Sequence, residues 1–99
     1  MTTPASRLRA DIDFERPGKH RGFLNLSHSV HRSAYGLIRI PIACIVNGVG
    51  PTVLLTAGNH GDEYEGQLAL LKFLDAVEPA QVAGRLIVIP SLNYPAAMA

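Results

Sequence analysis

The stretch that decides the fold runs Thr52-Val53-Leu54-Leu55-Thr56-Ala57-Gly58-Asn59-His60-Gly61-Asp62-Glu63-Tyr64-Glu65-Gly66. Its first six residues are apolar or β-branched, which is typical of a strand buried on both faces. Gly58 and Gly61 interrupt that run, and from Asp62 the apolar spacing changes from that of a strand to that of a helix. The stretch therefore predicts a strand, a turn and a helix in that order.

The residues after this turn predict an amphipathic helix that Pro79 ends. Its apolar residues recur at helical spacing: Leu70, Phe73, Leu74 and Val77. The run Arg85-Leu86-Ile87-Val88-Ile89-Pro90 then predicts a second buried strand. Two strands joined by a helix are expected to run parallel with a right-handed crossover, so the predicted fold class is α/β.

The chain before this unit is expected to form a separate part. Residues 1–35 predict an N-terminal extension with short strands, in which residues 22–27 alternate apolar and polar side chains. Residues 36–99 predict a partial α/β core, incomplete at its C-terminus. Within the apolar run 37–46, Pro41 has no N–H to donate and marks an edge strand or a bulge.

Composition limits the class of protein. A chain of 99 residues with 47% hydrophobic and 17% charged side chains suits one soluble domain at most. Residues 1–39 hold seven of the nine lysines and arginines, but without the interleaved aromatic residues that nucleic-acid binding needs. No apolar run approaches the roughly 18 residues that cross a bilayer. We therefore expect no nucleic-acid or membrane partner.

The cysteine content and the N-terminal sequence indicate the cellular compartment. Cys44 is the only cysteine and lies in an apolar run, so we expect a small buried side chain and no intrachain disulfide. The N-terminus carries charges where a secretory signal would have an apolar region. Both features favour a cytoplasmic protein.

The turn contains a candidate metal site, His60-x-x-Glu63. An imidazole nitrogen and a carboxylate separated by two residues at a strand-to-helix turn are suited to bind one zinc ion. A structural interpretation is also open, because Asp62 and Glu65 fit a helix N-cap with its capping box, and Glu63 complements the helix dipole. The residue types by themselves leave both interpretations open.

Other chemically capable residues form weaker patterns. His20, His28 and His31 lie in or near a serine-rich segment without periodicity, which favours a polar loop over a metal site. Gly48-Val49-Gly50-Pro51 lacks the third glycine of a dinucleotide-binding fingerprint and predicts a turn. The serines considered lie in no Gly-x-Ser-x-Gly nucleophile elbow: Ser27, Ser29 and Ser91.

The turn and its flanking strands resemble the start of the succinylglutamate desuccinylase/aspartoacylase family, whose members are zinc amidohydrolases related in fold to metallocarboxypeptidases. The residues that carry the resemblance are the strand 53–57, Gly58-Asn59-His60-Gly61-Asp62-Glu63, the strand 86–90 and Asn93-Tyr94-Pro95. Residues 58–66 and 89–96 are most similar to the branch that removes the acetyl group from N-alpha-acetyl-L-2,4-diaminobutyrate in ectoine degradation.

The resemblance implies the N-terminal portion of a three-layer α/β/α fold with a mainly parallel central sheet, preceded by a short β-rich segment. It implies zinc as cofactor, His60 and Glu63 as the first two ligands, and Asp62 as a supporting or capping residue. In the family a third histidine ligand, a glutamate general base and a substrate-binding Asn-Arg pair lie further downstream. No catalytic residue is therefore expected within these 99 residues, and the substrate-binding residues stay undefined.

Two functions follow as expectations. The first is a zinc-dependent amidohydrolase that removes an acyl group, most simply acetyl, from a small N-acyl amino acid such as N-acetyl-diaminobutyrate. The alternative is a truncated, non-catalytic fragment that binds metal weakly or associates through its incomplete sheet. Homo-oligomer formation is left open, as are the exact substrate and whether the 99 residues are the whole gene product.

Overall fold

The computed structural model describes residues 8–30, 33–58 and 65–91. Within them, an α-helix and a short 3-10 helix lie between the fourth and fifth of five strands. The strands are β1 (Leu8–Ala10), β2 (Gly18–Val30), β3 (Ser33–Asn47), β4 (Thr52–Thr56) and β5 (Gly84–Ile89). The helix α1 covers Glu65–Ala76, and the 3-10 helix covers Pro79–Gln81.

The strands form one sheet in the order β1-β2-β3-β5-β4. The three pairings among β1, β2, β3 and β5 are antiparallel, and they make up the β-rich part of the sheet. β4 and β5 are parallel, with Thr52 beside Arg85 and Thr56 beside Ile89. Because α1 connects these two strands, the predicted parallel strand-helix-strand unit and the α/β class are confirmed.

The N-terminal strands are longer than the sequence predicts. The alternating pattern covers residues 22–27, whereas β2 extends from Gly18 to Val30. It pairs with β3 over nearly this whole length, with a register shift between His28 and Val30. Pairing with β3 therefore extends β2 beyond residues 22–27, the segment that the alternating pattern marks as a strand. The division of the chain between residues 35 and 36 stays a prediction.

Pro41 lies inside the continuous strand β3, opposite Phe23 of β2. The pairing of β3 with β5 begins only at Ala43. Among the described residues, Pro41 therefore has a neighbouring strand on one side, where the missing N–H costs no sheet hydrogen bond. Of the two interpretations of Pro41, the edge strand is therefore confirmed. A bulge at Pro41 is not, because the register shift of this strand pair lies between His28 and Val30.

Two apolar clusters cover opposite faces of the sheet, because consecutive side chains of β3 alternate in direction. One lies against α1 and contains Ala43, Ile45, Leu74, Val77 and Val88. The other contains Ile40, Ile42 and Ile89, with Ile12 and Phe14 from the segment between β1 and β2 packed on it. Cys44 is fully buried, as predicted.

The helix α1 confirms most of the predicted apolar stripe. Leu74 and Val77 are buried and Leu70 is partly buried against the sheet, whereas Phe73 lies at the surface. The helix ends at Ala76, and Pro79 starts the 3-10 helix. No helix in the described ranges is long and apolar enough to span a membrane.

β4 differs from its prediction. A strand buried on both faces was expected at Thr52–Thr56, yet the side chains of Val53 and Leu54 are 42% and 58% exposed. The reason is that β4 is the outermost strand and, within the described residues, has only β5 beside it. Its composition is that of a buried strand. The prediction is nevertheless wrong, because burial depends on which elements lie next to the strand and not on composition alone.

Candidate metal centre

The candidate site begins where β4 and β5 end. Thr56 lies beside Ile89, and the N–H of Ala57 donates a hydrogen bond to the carbonyl oxygen of Ile89 at 3.1 Å. Pro90 follows β5 and has no N–H to offer. Both strands therefore stop at the same edge of the sheet, which we call the carboxyl edge and which consists of Ala57, Gly58, Pro90 and Ser91.

The start of α1 lies against this carboxyl edge. A β-carbon at Gly66 would lie 3.3 Å from the β-carbon of Ala57, so the first turn of the helix closely approaches the end of β4. Gly58 is buried and has a φ of +78°, a backbone conformation that favours glycine. The predicted change from strand to helix is confirmed, and six residues join Gly58 to Glu65.

The predicted metal ligands lie in that connection. His60 and Glu63, together with the supporting residue Asp62, fall in residues 59–64 and are outside the described residues. Their assignment stays a prediction. Among the residues that the structure does describe, no group of three histidine, cysteine, aspartate or glutamate side chains is suited to hold a metal ion.

Sequence reasoning missed one feature of the carboxyl edge. The hydroxyl oxygen of Ser91 is buried, and it has no hydrogen-bond partner. As a candidate nucleophile, Ser91 was set aside because the surrounding motif is absent. Its place directly after a buried strand was the available signal, since a polar side chain there lies at the edge where ligands bind in parallel sheets.

The polar loop predicted around His28 is wrong, because His20 and His28 both lie in strand β2, where pairing with β3 replaces the missing local periodicity. The Nε2 atom of His20 lies 2.9 Å from the carbonyl oxygen of Asp13, so its ring holds the segment between β1 and β2. His31 lies outside the described residues. Gly48, with a φ of +68°, lies in the predicted turn between β3 and β4.

The opposite ends of β4 and β5 form what we call the amino edge, made of Pro51, Thr52, Gly84 and Arg85. The N–H of Arg85 donates to the carbonyl oxygen of Pro51 at 3.0 Å. Its guanidinium group donates to the Thr52 hydroxyl at 3.1 Å and to the carbonyl oxygen of Phe14 at 2.9 Å. This edge is thus tied to the N-terminal part of the chain.

The part of the chain that forms these edges matches a known protein family. The model of the succinylglutamate desuccinylase/aspartoacylase catalytic domain matches residues 49–99, which is just over half of the chain and includes β4, α1 and β5. The chain belongs to this family.

Individual relatives agree with that assignment. The chain is 47% identical over 94 residues to N-alpha-acetyl-L-2,4-diaminobutyric acid deacetylase of Halomonas elongata, covering 95% of this chain and 28% of the relative. The product-bound ectoine utilization protein EutE of Ruegeria pomeroyi superposes with a TM-score of 0.85 at 46% identity, covering 95% of this chain and 29% of that one.

A succinylglutamate desuccinylase/aspartoacylase from Rhodobacter sphaeroides gives a TM-score of 0.84 at 46% identity, covering 94% of this chain and 29% of that chain. The sequence therefore spans less than a third of the length of these relatives. The fold of this part is shared with them.

Proposed function

We propose that the chain supplies the carboxyl edge of a zinc-dependent deacylase, an amidohydrolase that removes an acyl group from a small N-acyl amino acid. One observation carries the proposal. The connection with His60 and Glu63 is joined to the carboxyl edge at both ends, by Gly58 and by the first turn of α1. Crevices beyond the carboxyl ends of parallel strands are where α/β sheets bind their ligands.

The donor chemistry of the connection fits zinc. Catalytic zinc sites combine histidine and carboxylate ligands and keep one position open. His60 would bind through a neutral imidazole nitrogen and Glu63 through its carboxylate, while Asp62 would cap α1 or support a ligand. When bound, zinc supplies a Lewis acid that polarises an amide carbonyl and activates water near neutral pH.

The remaining parts of the site are assigned to residues that this sequence does not contain. A third histidine ligand, a general base and the groups that bind the substrate carboxylate are expected there, as the family resemblance implies. Within this chain, strand β4, which pairs with the largely buried strand β5, and the packed helix α1 hold the two ends of the ligand-bearing connection. A rigid frame of this kind keeps ligands in a productive geometry.

The substrate is assigned by similarity. The relative from Halomonas elongata is a deacetylase named for N-alpha-acetyl-L-2,4-diaminobutyric acid. An acetylated diamino acid is therefore the first substrate to test, and we propose that the protein acts in the cytoplasm.

The experiment uses a polypeptide of the relatives' length that contains this sequence. Acetate release from N-acetyl-diaminobutyrate is measured with and without a zinc chelator, and then in His60→Ala. We expect chelation and the substitution each to abolish activity. His20→Gln is the matched control, because the His20 ring contacts the Asp13 backbone and should leave activity unchanged. Activity unaffected by His60→Ala would overturn the assignment.

A second candidate function is association of this chain through its sheet. The exposed apolar side chains of the outermost strand β4 favour it, since an open strand edge pairs readily with another strand. Sedimentation of the 99-residue chain at micromolar concentration tests it. A stable monomer contradicts association, whereas a dimer that Leu54→Lys dissociates supports it.

A further inference from the structure

We propose that the sheet face beside α1 is a docking surface for a second, acidic amphipathic helix, which a polypeptide of the relatives' length supplies from outside these 99 residues. The surface, which we call the open groove, lies between α1 and the strands β2 and β3. It has a volume of about 240 Å³, and its walls include Phe23, Pro41, Leu71 and Leu74. The chain spans 28% of the length of its Halomonas elongata relative, so a polypeptide of that length has residues to fill the groove.

The first argument is the apolar character of the open groove. The sheet contributes Phe23 and Pro41, which are paired across β2 and β3 and lie on the same face. The helix α1 contributes Leu71, which is 43% exposed. Leu68, one turn earlier on the same side of α1, is 56% exposed. Exposed apolar side chains that adjoin an apolar groove mark an interaction surface.

The second argument is the space beside α1. The apolar cluster with Ala43, Ile45 and Val88 places α1 over β3 and β5. Helices packed side by side have axes about 8–10 Å apart, which is about two strand spacings of 4.8 Å. A second helix would therefore lie over β1 and β2 and close the open groove from the side opposite α1. Helices are the elements that pack on the faces of α/β sheets, and the described residues contain no second α-helix for this place.

The third argument is the charge beside the groove. Arg9, Asn25 and Arg39 are neighbours across β1, β2 and β3, so both arginines lie on the same sheet face as Phe23. The guanidinium group of Arg39 stacks on the Phe23 ring, 4.0 Å from its centroid. Its described carboxylate partner Asp11 is 3.7 Å away, and both side chains are at least 40% exposed, which makes a weak ion pair. Arg9 forms no ion pair with a described residue. The docked helix should therefore carry aspartate or glutamate toward these arginines.

The helix α1 provides an internal comparison. Asp75 of α1 pairs with Arg21 of β2 at 2.8 Å, and the preceding residue, Leu74, is buried against the sheet. α1 thus contacts this sheet face through apolar side chains and one pair between a carboxylate and an arginine. The second helix is expected to bind in the same way, with Arg39 and Arg9 in the place of Arg21.

The test uses the polypeptide of the relatives' length with the photo-crosslinking amino acid p-benzoylphenylalanine in place of Leu71. Mass spectrometry identifies the peptide that is cross-linked. We expect one peptide of the same molecule, outside residues 1–99, with apolar residues at helical spacing and at least one aspartate or glutamate. Val49 is the matched control position, because it is 98% exposed and lies between β3 and β4, and should give no defined cross-link. A cross-link within residues 1–99, a cross-linked dimer or the absence of a specific cross-link overturns the proposal.

A second measurement tests coverage and charge through the rate at which a maleimide modifies Leu71→Cys. We expect modification at least about tenfold slower than that of Val49→Cys, because the docked helix must open first. Adding Arg39→Glu should speed it about threefold, the effect of an exposed ion pair, and Arg39→Gln should speed it less. Arg16→Glu, at an exposed arginine outside the groove, should leave it unchanged.

Equal rates for Leu71→Cys and Val49→Cys overturn the docked helix. Equal effects of Arg39→Glu and Arg16→Glu overturn its acidic character. Neither measurement requires zinc or deacylase activity, so failure of the proposed function leaves this inference intact, and failure of this inference leaves the proposed function intact.

Discussion

The amino edge and the carboxyl edge belong to the same two strands, β4 and β5, but use their polar groups differently. At the amino edge, Arg85 donates through its backbone to Pro51 and through its side chain to Thr52 and Phe14. These hydrogen bonds join the two strand ends to each other and to the N-terminal part of the chain.

At the carboxyl edge, the described hydrogen bonding between the strands stops at Ala57 and Ile89. Beyond it lie the unpartnered hydroxyl group of Ser91 and the connection that carries His60 and Glu63. At the amino edge, the polar groups form hydrogen bonds that stabilise the fold. At the carboxyl edge, the described part of the fold leaves the Ser91 hydroxyl group without a partner. Substitutions at the amino edge should therefore change stability, and those at the carboxyl edge should change activity.

The largest effect is expected at the carboxyl edge, from Glu63→Gln in a polypeptide of the relatives' length. Loss of a zinc ligand should remove several kcal/mol of transition-state stabilisation, a decrease in kcat/KM on the order of a thousandfold. The metal-free stability should change by less than about 1 kcal/mol, which is the size of the interaction between an exposed carboxylate and a helix dipole. Steady-state kinetics and urea unfolding measure the two quantities.

The control for Glu63→Gln is Glu65→Gln, which removes the same charge at the first residue of α1. It should keep activity within about twofold of the unsubstituted protein. Equal loss of activity in both variants would contradict the separate role of Glu63.

The next effect is expected at the amino edge, from Gly84→Ala. Gly84 has a φ of +111°, and a β-carbon there would collide with the carbonyl oxygen of Pro51 and lie 2.6 Å from the carbonyl carbon of Gly50. Backbone strain and this overlap together should cost about 2–4 kcal/mol in the free energy of unfolding. Urea unfolding monitored by circular dichroism measures the loss.

Gly48→Ala is the matched control, because Gly48 also has a positive φ of +68° but has no heavy atom within 4 Å of an added β-carbon. It should lose only the conformational cost of about 1–2 kcal/mol. If both variants lose the same free energy of unfolding, the close approach of Gly84 to Gly50 and Pro51 does not add to the cost of the substitution.

A smaller loss in the free energy of unfolding is expected from Arg85→Met. The hydrogen bond from Arg85 to the Phe14 carbonyl is partly buried, whereas the Glu15 side chain that pairs with the same nitrogen is 84% exposed. We expect a loss of about 1–2 kcal/mol from Arg85→Met and less than about 0.5 kcal/mol from Glu15→Gln. Thermal unfolding of both variants measures this ratio, and equal losses would show that the ion pair dominates.

The smallest effect concerns Cys44 and alkaline pH. Burial raises the pKa of the Cys44 thiol above its ordinary value of 9.0, although the nearby Arg85 opposes the shift. Above pH 9.0 the unfolded chain releases this proton more readily than the folded one, so the free energy of unfolding falls as pH rises. Below that pH the contribution is fully present.

Cys44→Ala removes this titration. The free energy of unfolding of the unsubstituted protein should therefore decline more steeply above pH 9.0 than that of the variant. Denaturant unfolding at a series of pH values measures the two slopes. A difference between the two proteins that stays constant across this range would contradict a buried, protonated thiol.

Local sequence patterns were sufficient to predict the strand-helix-strand unit. The change from continuous apolar residues to helical spacing marks β4, the connection and α1, and the apolar run 86–89 marks β5. The parallel pairing follows because a helix between two strands returns the chain to the same end of the sheet. The turn motif likewise identified the family by sequence alone.

The tertiary structure decided what depends on residues distant in the chain. Lys19 of β2 donates to the carbonyl oxygens of Leu74 and Val77 at 2.6 Å and 2.8 Å, and so caps α1, which has no basic residue in its own last turn. The exposure of β4 and the unpartnered hydroxyl group of Ser91 also appear only in the folded chain. The physical reason is that local periodicity sets which way a side chain points, whereas burial and hydrogen bonding depend on which residues lie across from it.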